Sequence, residues 1–286
     1  MTTTPTANLV EISKMLEINN VYNESCITGM QKMDAESVDL VVTSPPYDNL
    51  RTYNDSSDWN FDIFTQVADE LIRVLKPGGV IMWNVGDAVV DGSETGSSFR
   101  QALYFKDSGL CVHDTMIYQK PSAAYPASHK SNRYSQVFEY CFILSKGKPK
   151  TSNLIKDKKN TWAGTQSWGN AGSRQKDGTI KKGTSKVSIS DVGYRDNIWR
   201  IANGKGFGQT NSEIYQHPAT MPQELARGHI ITWSNPGDLV LDPFMGSGTT
   251  ARMAFREDRN YIGFEIDEEY YNLCIKHTTF NSVFDK

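Results

Sequence analysis

The run Val80-Ile81-Met82-Trp83-Asn84-Val85 is apolar at consecutive rather than alternate positions, the pattern of a strand covered on both faces. It follows residues 62–75, where Ile63, Phe64, Val67, Leu71, Ile72, Val74 and Leu75 recur mostly three or four apart, the spacing of an amphipathic helix. Between the two stands Lys76-Pro77-Gly78-Gly79, in which proline cannot continue the helix and glycine relieves the turn. A helix turned into a doubly covered strand directs the chain toward a sheet lying between helix layers.

The rest of the chain repeats that alternation. Short strands are predicted at 20–22 and 38–42, joined by a helical piece over 26–33. A helix at 99–105 leads to strands at 112–119 and 137–145 on the far side of the sheet. A helix at 221–233, with Leu225, Ile230 and Ile231 as its buried face, precedes a strand at 239–241, a helix at 249–255, a strand at 261–264 and a last helix near 268–277. Strands alternating with helices predict an α/β fold with a mainly parallel sheet and helices on both faces. From 146 to 202 the pattern is lost: lysine, glycine, serine and asparagine dominate, with isolated Trp162, Trp168 and Trp199. The predicted division is a catalytic domain of 1–145 and 207–286, interrupted by an insert at 146–206.

With 286 residues, the chain suffices for one sizeable core plus a small appendage. No run approaches the roughly eighteen apolar residues that span a bilayer, and the start has no signal-peptide pattern, so a soluble, cytoplasmic protein without membrane contact is expected. Cys26, Cys111, Cys141 and Cys274 are scattered without paired spacing, which predicts buried apolar residues and neither a bound metal nor a disulfide framework. Net charge is only −3, but residues 119–210 hold seventeen Lys and Arg against five acids. That segment is therefore +12 and the remainder −15. Such segregation is the electrostatic footprint of a nucleic-acid face; the plainer reading is a solvated loop.

Two segments carry chemistry. Leu239-Val240-Leu241-Asp242-Pro243-Phe244-Met245-Gly246-Ser247-Gly248-Thr249-Thr250 is an apolar strand ending in an acid, then a Gly-x-Gly turn and a helix start, the shape that delivers a nucleoside cofactor to a helix N-terminus. Glu265 follows the next apolar strand, where a carboxylate accepts hydrogen bonds from ribose hydroxyls in a βαβ unit. A nicotinamide dinucleotide is the competing ligand, disfavoured because Ala251 stands where the third glycine of its fingerprint would be. The second segment is the strand at 38–42 leading into Ser44-Pro45-Pro46-Tyr47, where paired prolines hold an aromatic ring at a strand end.

In this order the two segments resemble the amino-methylating DNA methyltransferases. Ser44-Pro45-Pro46-Tyr47 is similar to the family's D/N/S-P-P-Y/F/W, and Phe244-Met245-Gly246-Ser247-Gly248 to its F-x-G-x-G. The catalytic tetrapeptide precedes the cofactor motif, as in the permuted group called beta. The resemblance covers most of the chain and implies a Rossmann-like fold using S-adenosylmethionine, released as S-adenosylhomocysteine, without a metal.

It assigns Ser25, Asp242, Pro243, Phe244, Gly246, Gly248, Thr249 and Glu265 to the cofactor. Asp242 would face the methionine ammonium, the stretch from His217 to Pro222 would enclose the methionine end, and Ser25, or Glu24 beside it, would meet the adenine. It assigns Ser44, Pro45, Pro46 and Tyr47 to catalysis. The Ser44 side chain and Pro45 carbonyl accept hydrogen bonds from an exocyclic amine, and Tyr47 offers a face to a base turned out of duplex DNA. Direct transfer needs no covalent intermediate, and proximity to the cofactor supplies the rate.

Serine at the first position favours cytosine N4, with adenine N6 as the alternative; RNA or a protein amide are more distant substrates on the same fold. The basic insert resembles a target-recognition region. Lys156, Lys158, Lys159, Lys181 and Lys182 suit phosphates, while Arg133, Arg174, Arg195 and Arg200 suit base edges. Double-stranded DNA is the implied partner, in a restriction-modification pair with an endonuclease or as an orphan; monomer and homodimer both remain open.

Overall fold

The structure is a computed structural model and describes residues 16–47, 59–123, 132–167, 173–181, 187–202 and 220–278. Its elements are β1 (Asn20–Tyr22), α1 (Cys26–Gln31), β2 (Val38–Thr43), α2 (Phe61–Val74), β3 (Leu75–Val85), β4 (Val89–Val90), β5 (Ser93–Glu94), α3 (Ser97–Asp107), β6 (Cys111–Gln119) and β7 (Phe138–Ser145). There follow six two-residue strands, β8 (Lys158–Lys159), β9 (Gln166–Ser167), β10 (Ser173–Arg174), β11 (Ile180–Lys181), β12 (Val187–Ser188) and β13 (Val192–Gly193). The chain closes with β14 (Ile198–Arg200), α4 (Gln223–Trp233), β15 (Leu239–Asp242), α5 (Thr249–Arg256), β16 (Asn260–Phe264) and α6 (Glu268–Thr278).

Eight of these strands form one mixed sheet in the order β1-β16-β15-β2-β3-β7-β6-β14. Pairings from β1 through β3 are parallel, β14 runs parallel to β6, and β7 lies antiparallel to both neighbours. The sheet is the expected Rossmann-like α/β arrangement, with β7 alone against the common direction.

α2 shows how local chemistry sets the frame. Asn60 Oδ1 accepts from the backbone N–H groups of Asp62 and Ile63 at 2.9 and 3.0 Å, a cap worth about 1 kcal/mol. Phe64, Val67, Leu71 and Val74 on its inner face are fully buried, each contributing roughly 1.5–3 kcal/mol by leaving water. The helix ends at Val74, but the strand does not wait for Val80. Leu75 already pairs with Val38, the register then shifts, and Leu40 pairs with Val80. Lys76 to Gly79 form a bulge inside a strand. Gly78 adopts φ +78° there, and its N–H and C=O bond Lys146 and Lys150. Periodicity placed the helix stop correctly and missed the early pairing, because pairing is made by a strand elsewhere in the chain.

On α4, Leu225 and Ile230 are buried as expected but Ile231 is only half-buried. His229 and Trp233 complete the buried face, and His229 stacks on Trp199 with ring centroids 4.6 Å apart. Trp199 is thus a structural anchor, whereas Trp162 is 69% exposed and Trp168 lies outside the described residues.

The chain divides into two compact units, Met1–Ser152 with Ile198–Lys286, and Asn153–Asn197. The second holds the paired ribbons β8 with β13, β9 with β12 and β10 with β11. Among the described residues no helix is long and apolar enough to cross a membrane, and no group of His, Cys, Asp and Glu is placed to hold a metal ion. All four cysteines are free; Cys26, Cys141 and Cys274 are buried, but Cys111, at the start of β6, is exposed against expectation. A scattered cysteine carries no periodic context of its own, so its exposure follows from where the strand happens to lie.

Candidate active site

The chain runs from β2 through α2 to β3 in one direction across the sheet, and from β15 through α5 to β16 in the other. β15 and β2 are neighbours, Val240 opposite Leu40 and Leu241 opposite Val41. Their adjacent carboxyl ends form the topological switch point, where open α/β sheets leave a crevice for ligands. Ser44 to Tyr47 leave one strand end and Asp242 to Gly248 leave the other, so two motifs nearly two hundred residues apart in sequence meet.

A pocket of about 330 Å³ opens there, within the range of small-molecule sites. Ser44 and Pro46 line it together with Asp242, Pro243, Phe244, Gly246, Thr249 and Glu265. Ser25 also lines it, whereas Glu24 bonds Thr28 and Lys32 instead. Gly248 does not line the pocket but shapes it. It adopts φ +83°, and a Cβ on it would come within 2.9 Å of Cys274 Sγ and Thr278 Cγ2, so no other residue packs there without displacement. His217 lies outside the described residues, but Met221 from the same stretch is at the pocket wall. Trp59, Ile63 and Val67 also line it; the sequence marks Ile63 and Val67 only as the apolar side of a helix, and Trp59 precedes that helix.

Asp242 has both oxygens occupied. Oδ1 accepts from Thr43 Oγ1 at 2.7 Å and Phe244 N–H at 3.0 Å, and Oδ2 accepts from Thr250 Oγ1 at 2.7 Å. It ties β2, the glycine turn and α5 together. Burial pushes its carboxyl up to about 6 against those three hydrogen bonds. Glu265 is held by Gly246 N–H at 2.8 Å and Asp267 N–H at 3.0 Å, and burial lifts it to about 7. Both carboxylates are desolvated beside a pocket with no cation against them among the described residues, an arrangement suited to a ligand bearing positive charge and hydroxyl donors. Thr249 supplies a further fit: it is 4% exposed, lines the pocket at the N-terminus of α5, and its buried Oγ1 has no hydrogen-bond partner among the described residues.

The second half of the site is a buried polar network. Ser44 Oγ donates to the Tyr47 hydroxyl at 3.0 Å, and Tyr47 donates to Glu139 Oε2 at 2.9 Å. Asn84 Nδ2 donates to both Tyr47 and Glu139, at 3.0 and 2.8 Å, and Cys141 Sγ donates to Asn84 Oδ1 at 3.1 Å. Lys120 Nζ lies 2.6 Å from Glu139 Oε1. Burial pushes Glu139 upward, but the Lys120 ammonium and the bonds from Lys120, Asn84 and Tyr47 overcome it and hold the carboxyl below its usual range. Tyr47 is only 7% exposed, with its ring in the core. An open stacking face, as expected from the sequence, is not what this structure presents. Asn84 and Glu139 also carry a signal in the sequence, since each is a polar residue set among the apolar residues of 80–85 and 138–144.

Of the four arginines, Arg133 and Arg200 belong to the larger unit and Arg174 and Arg195 to the smaller. Arg133 bonds Gly92 O in the turn between β4 and β5. Arg174 on β10 and Arg200 on β14 are exposed. Arg195 is committed to Asp157 in a two-bonded pair, and Lys158 pairs with Asp196 at 2.7 Å, both within Asn153–Asn197. Lys182 lies outside the described residues.

Residues 38–276 match the family described as DNA methylase. The orphan methyltransferase M.BamHII of Bacillus amyloliquefaciens is 52% identical over 238 residues, covering 83% of this chain and 87% of that protein. The type II methyltransferase M.SmaI of Serratia marcescens is 28% identical over 285 residues, with 86% of each covered. Among solved structures, the PvuII DNA methyltransferase (cytosine-N4-specific) superposes with TM-score 0.68 at 22% identity, over 93% of this chain and 88% of that one. The M1.HpyAVI–SAM complex gives 0.58 at 21% identity, over 91% and 98%. At such identities the superpositions establish the fold alone.

Proposed function

The chain belongs to the DNA methylase family, and from that premise we propose that it moves a methyl group from S-adenosylmethionine to the exocyclic amine of a base turned out of duplex DNA, cytosine N4 first and adenine N6 second. The observation that carries this reading is the meeting of Ser44 and Pro46 with Asp242, Gly246 and Glu265 in one pocket at the switch point between β2 and β15.

When bound, S-adenosylmethionine supplies a methyl group on a positively charged sulfur. Glu265 would accept from the ribose hydroxyls, Thr249 would satisfy its free Oγ1 on the methionine carboxylate, and Ser25 would meet the adenine edge. Asp242 holds the turn that presents these groups, and its charge favours the amino end of the ligand. Pro243, Phe244 and Gly246 form the wall of the turn, and Gly248 packs it onto α6.

On the acceptor side, an aromatic amine is a poor nucleophile because its lone pair is shared with the ring. Ser44 Oγ and the Pro45 carbonyl accept its protons, favouring the pyramidal form and stabilising the positive charge that grows on nitrogen. Burial pushes the Cys26 and Cys274 thiols up to about 12 and Cys141 higher still, so none of the buried thiols is ionised near neutral pH. Serine at position 44 supports cytosine N4. The basic segment, with Arg133, Arg174, Arg195 and Arg200, is assigned to DNA.

Nucleoside mass spectrometry of amplified genomic DNA, which carries no methyl marks, after incubation with the protein and S-adenosylmethionine tests the reading. N4-methylcytosine is the expected product; N6-methyladenine selects the second base, and methylation of RNA or peptide without DNA methylation overturns the proposal.

A further inference from the structure

The buried carboxylate of Glu139 sits outside every motif yet is bonded to the tetrapeptide. Its strand partner across the sheet explains the placement. β7 pairs antiparallel with β3, with Cys141 opposite Asn84 and Tyr140 opposite Val85, so the start of β7 lies beside the end of β3 and one strand away from the end of β2. Fixed donor and acceptor senses then determine the polarity of the network. An ionised carboxylate only accepts, and an amide Nδ2 only donates. Tyr47 receives from Asn84 and must therefore direct its own proton to Glu139. Its oxygen is left to accept, and Ser44 directs its proton to Tyr47. The Ser44 proton is thereby committed inward, while Ser44 itself lines the pocket.

We infer that Glu139 is a positioning residue for methyl transfer: through the Tyr47 hydroxyl it turns the Ser44 proton away from the pocket, and with Asn84 Nδ2 donating to Ser44 Oγ at 3.5 Å, one oxygen lone pair is left for the substrate amine. Without that bias a serine hydroxyl rotates freely and presents its proton to an amine as readily as its lone pair, and donation to the amine occupies the electrons the reaction needs. Charge carried through two hydroxyls also stabilises positive charge on the amine, since hydrogen-bonded chains polarise one another in a low-dielectric site. Lys120 keeps the device ionised, and Asn84 fixes the orientation of the phenol. Tyr47 thus acts through its hydroxyl as well as any role of its ring.

The inference rests on the proposed amine chemistry, and the experiment separates the two. Methylation of amplified genomic DNA is followed with radiolabelled S-adenosylmethionine for wild type, Glu139→Gln, Tyr47→Phe and the double variant. Cofactor affinity is measured by calorimetry. Glu139→Gln is expected to lower kcat 10- to 100-fold with cofactor affinity and KM for the cofactor within twofold. Tyr47→Phe keeps the ring and the Glu139–Lys120 pair and is expected to lose kcat to a similar extent, with the double variant no worse than either single change. Full kcat in Tyr47→Phe or in a cofactor-binding Glu139→Gln protein overturns the inference, as do losses that multiply in the double variant. If Glu139→Gln does not bind the cofactor, Tyr47→Phe decides alone. A wild-type protein that methylates no base overturns the functional reading, and the positioning role falls with it.

Discussion

Glu139 on one side of the site, and Asp242 and Glu265 on the other, are all buried carboxylates, yet the fold treats them oppositely. Glu139 has an ammonium and two further donors against it and is held below its ordinary range. Among the described residues Asp242 and Glu265 have only hydroxyl and backbone donors, and burial raises them to about 6 and about 7. The acceptor half is therefore charged before anything binds. The donor half is poised, its charge completed by a cationic ligand. Under the proposed assignment, charge is supplied by the protein where it would orient a neutral amine, and left wanting where the ligand would bring its own.

The largest test of that contrast is Asp242→Ala. It strips partners from Thr43, Thr250 and the Phe244 N–H together, so stability should fall by about 3 kcal/mol in denaturant titration and methyl transfer by at least roughly 100-fold. A decline confined to activity would show that Asp242 is a ligand group and not a clamp.

Gly248→Ala comes next: the left-handed backbone and the 2.9 Å approach to Cys274 and Thr278 should cost about 2 kcal/mol, read as a lower Tm. An unchanged Tm would mean that the turn has slack.

The pH response sharpens the comparison further. Asp242 and Glu265 titrate higher in the fold than in the open chain, so the native state holds extra protons between the two sets of values. Their contribution to stability is present below the ordinary carboxylate range and is lost as pH rises through about 6 and about 7. Cofactor binding favours the ionised forms, so its affinity should rise roughly tenfold from pH 6 to pH 8, with proton release at the lower pH in calorimetry. Glu139, shifted the other way, should add no such slope in that window. A pH-independent affinity would break the assignment of the donor half.

The smallest effect separates binding from folding. Thr249→Val deletes a hydroxyl with no partner among the described residues, so Tm should hold or rise slightly while cofactor affinity drops about tenfold. Equal loss in both would place Thr249 in the core and not in the site.

Much of the frame was legible in the residues. The amphipathic spacing through Phe64, Val67 and Leu71, the break at Pro77, and the two motifs behind apolar strands are short-range patterns, and each formed nearly where expected. The early pairing of Leu75 and the exposure of Cys111 were not legible, because both depend on which strands lie beside them. The same limit hid the network: Glu139 is 92 residues from Tyr47 and 55 from Asn84 in sequence, and no local period connects them.

The sequence by itself determined which chemical groups exist and which local element carries each: an acid at one strand end, a serine and two prolines at another, a glycine turn before a helix. Those outcomes follow from backbone sterics and side-chain periodicity within a few residues. Only the tertiary structure decided that β15 lies beside β2, that Glu139 meets Lys120 while Asp242 meets no cation among the described residues, and hence which carboxylates stay charged. The reason is that desolvation and Coulomb interactions act through space, over a few ångströms, between residues whose separation along the chain carries no information about their distance.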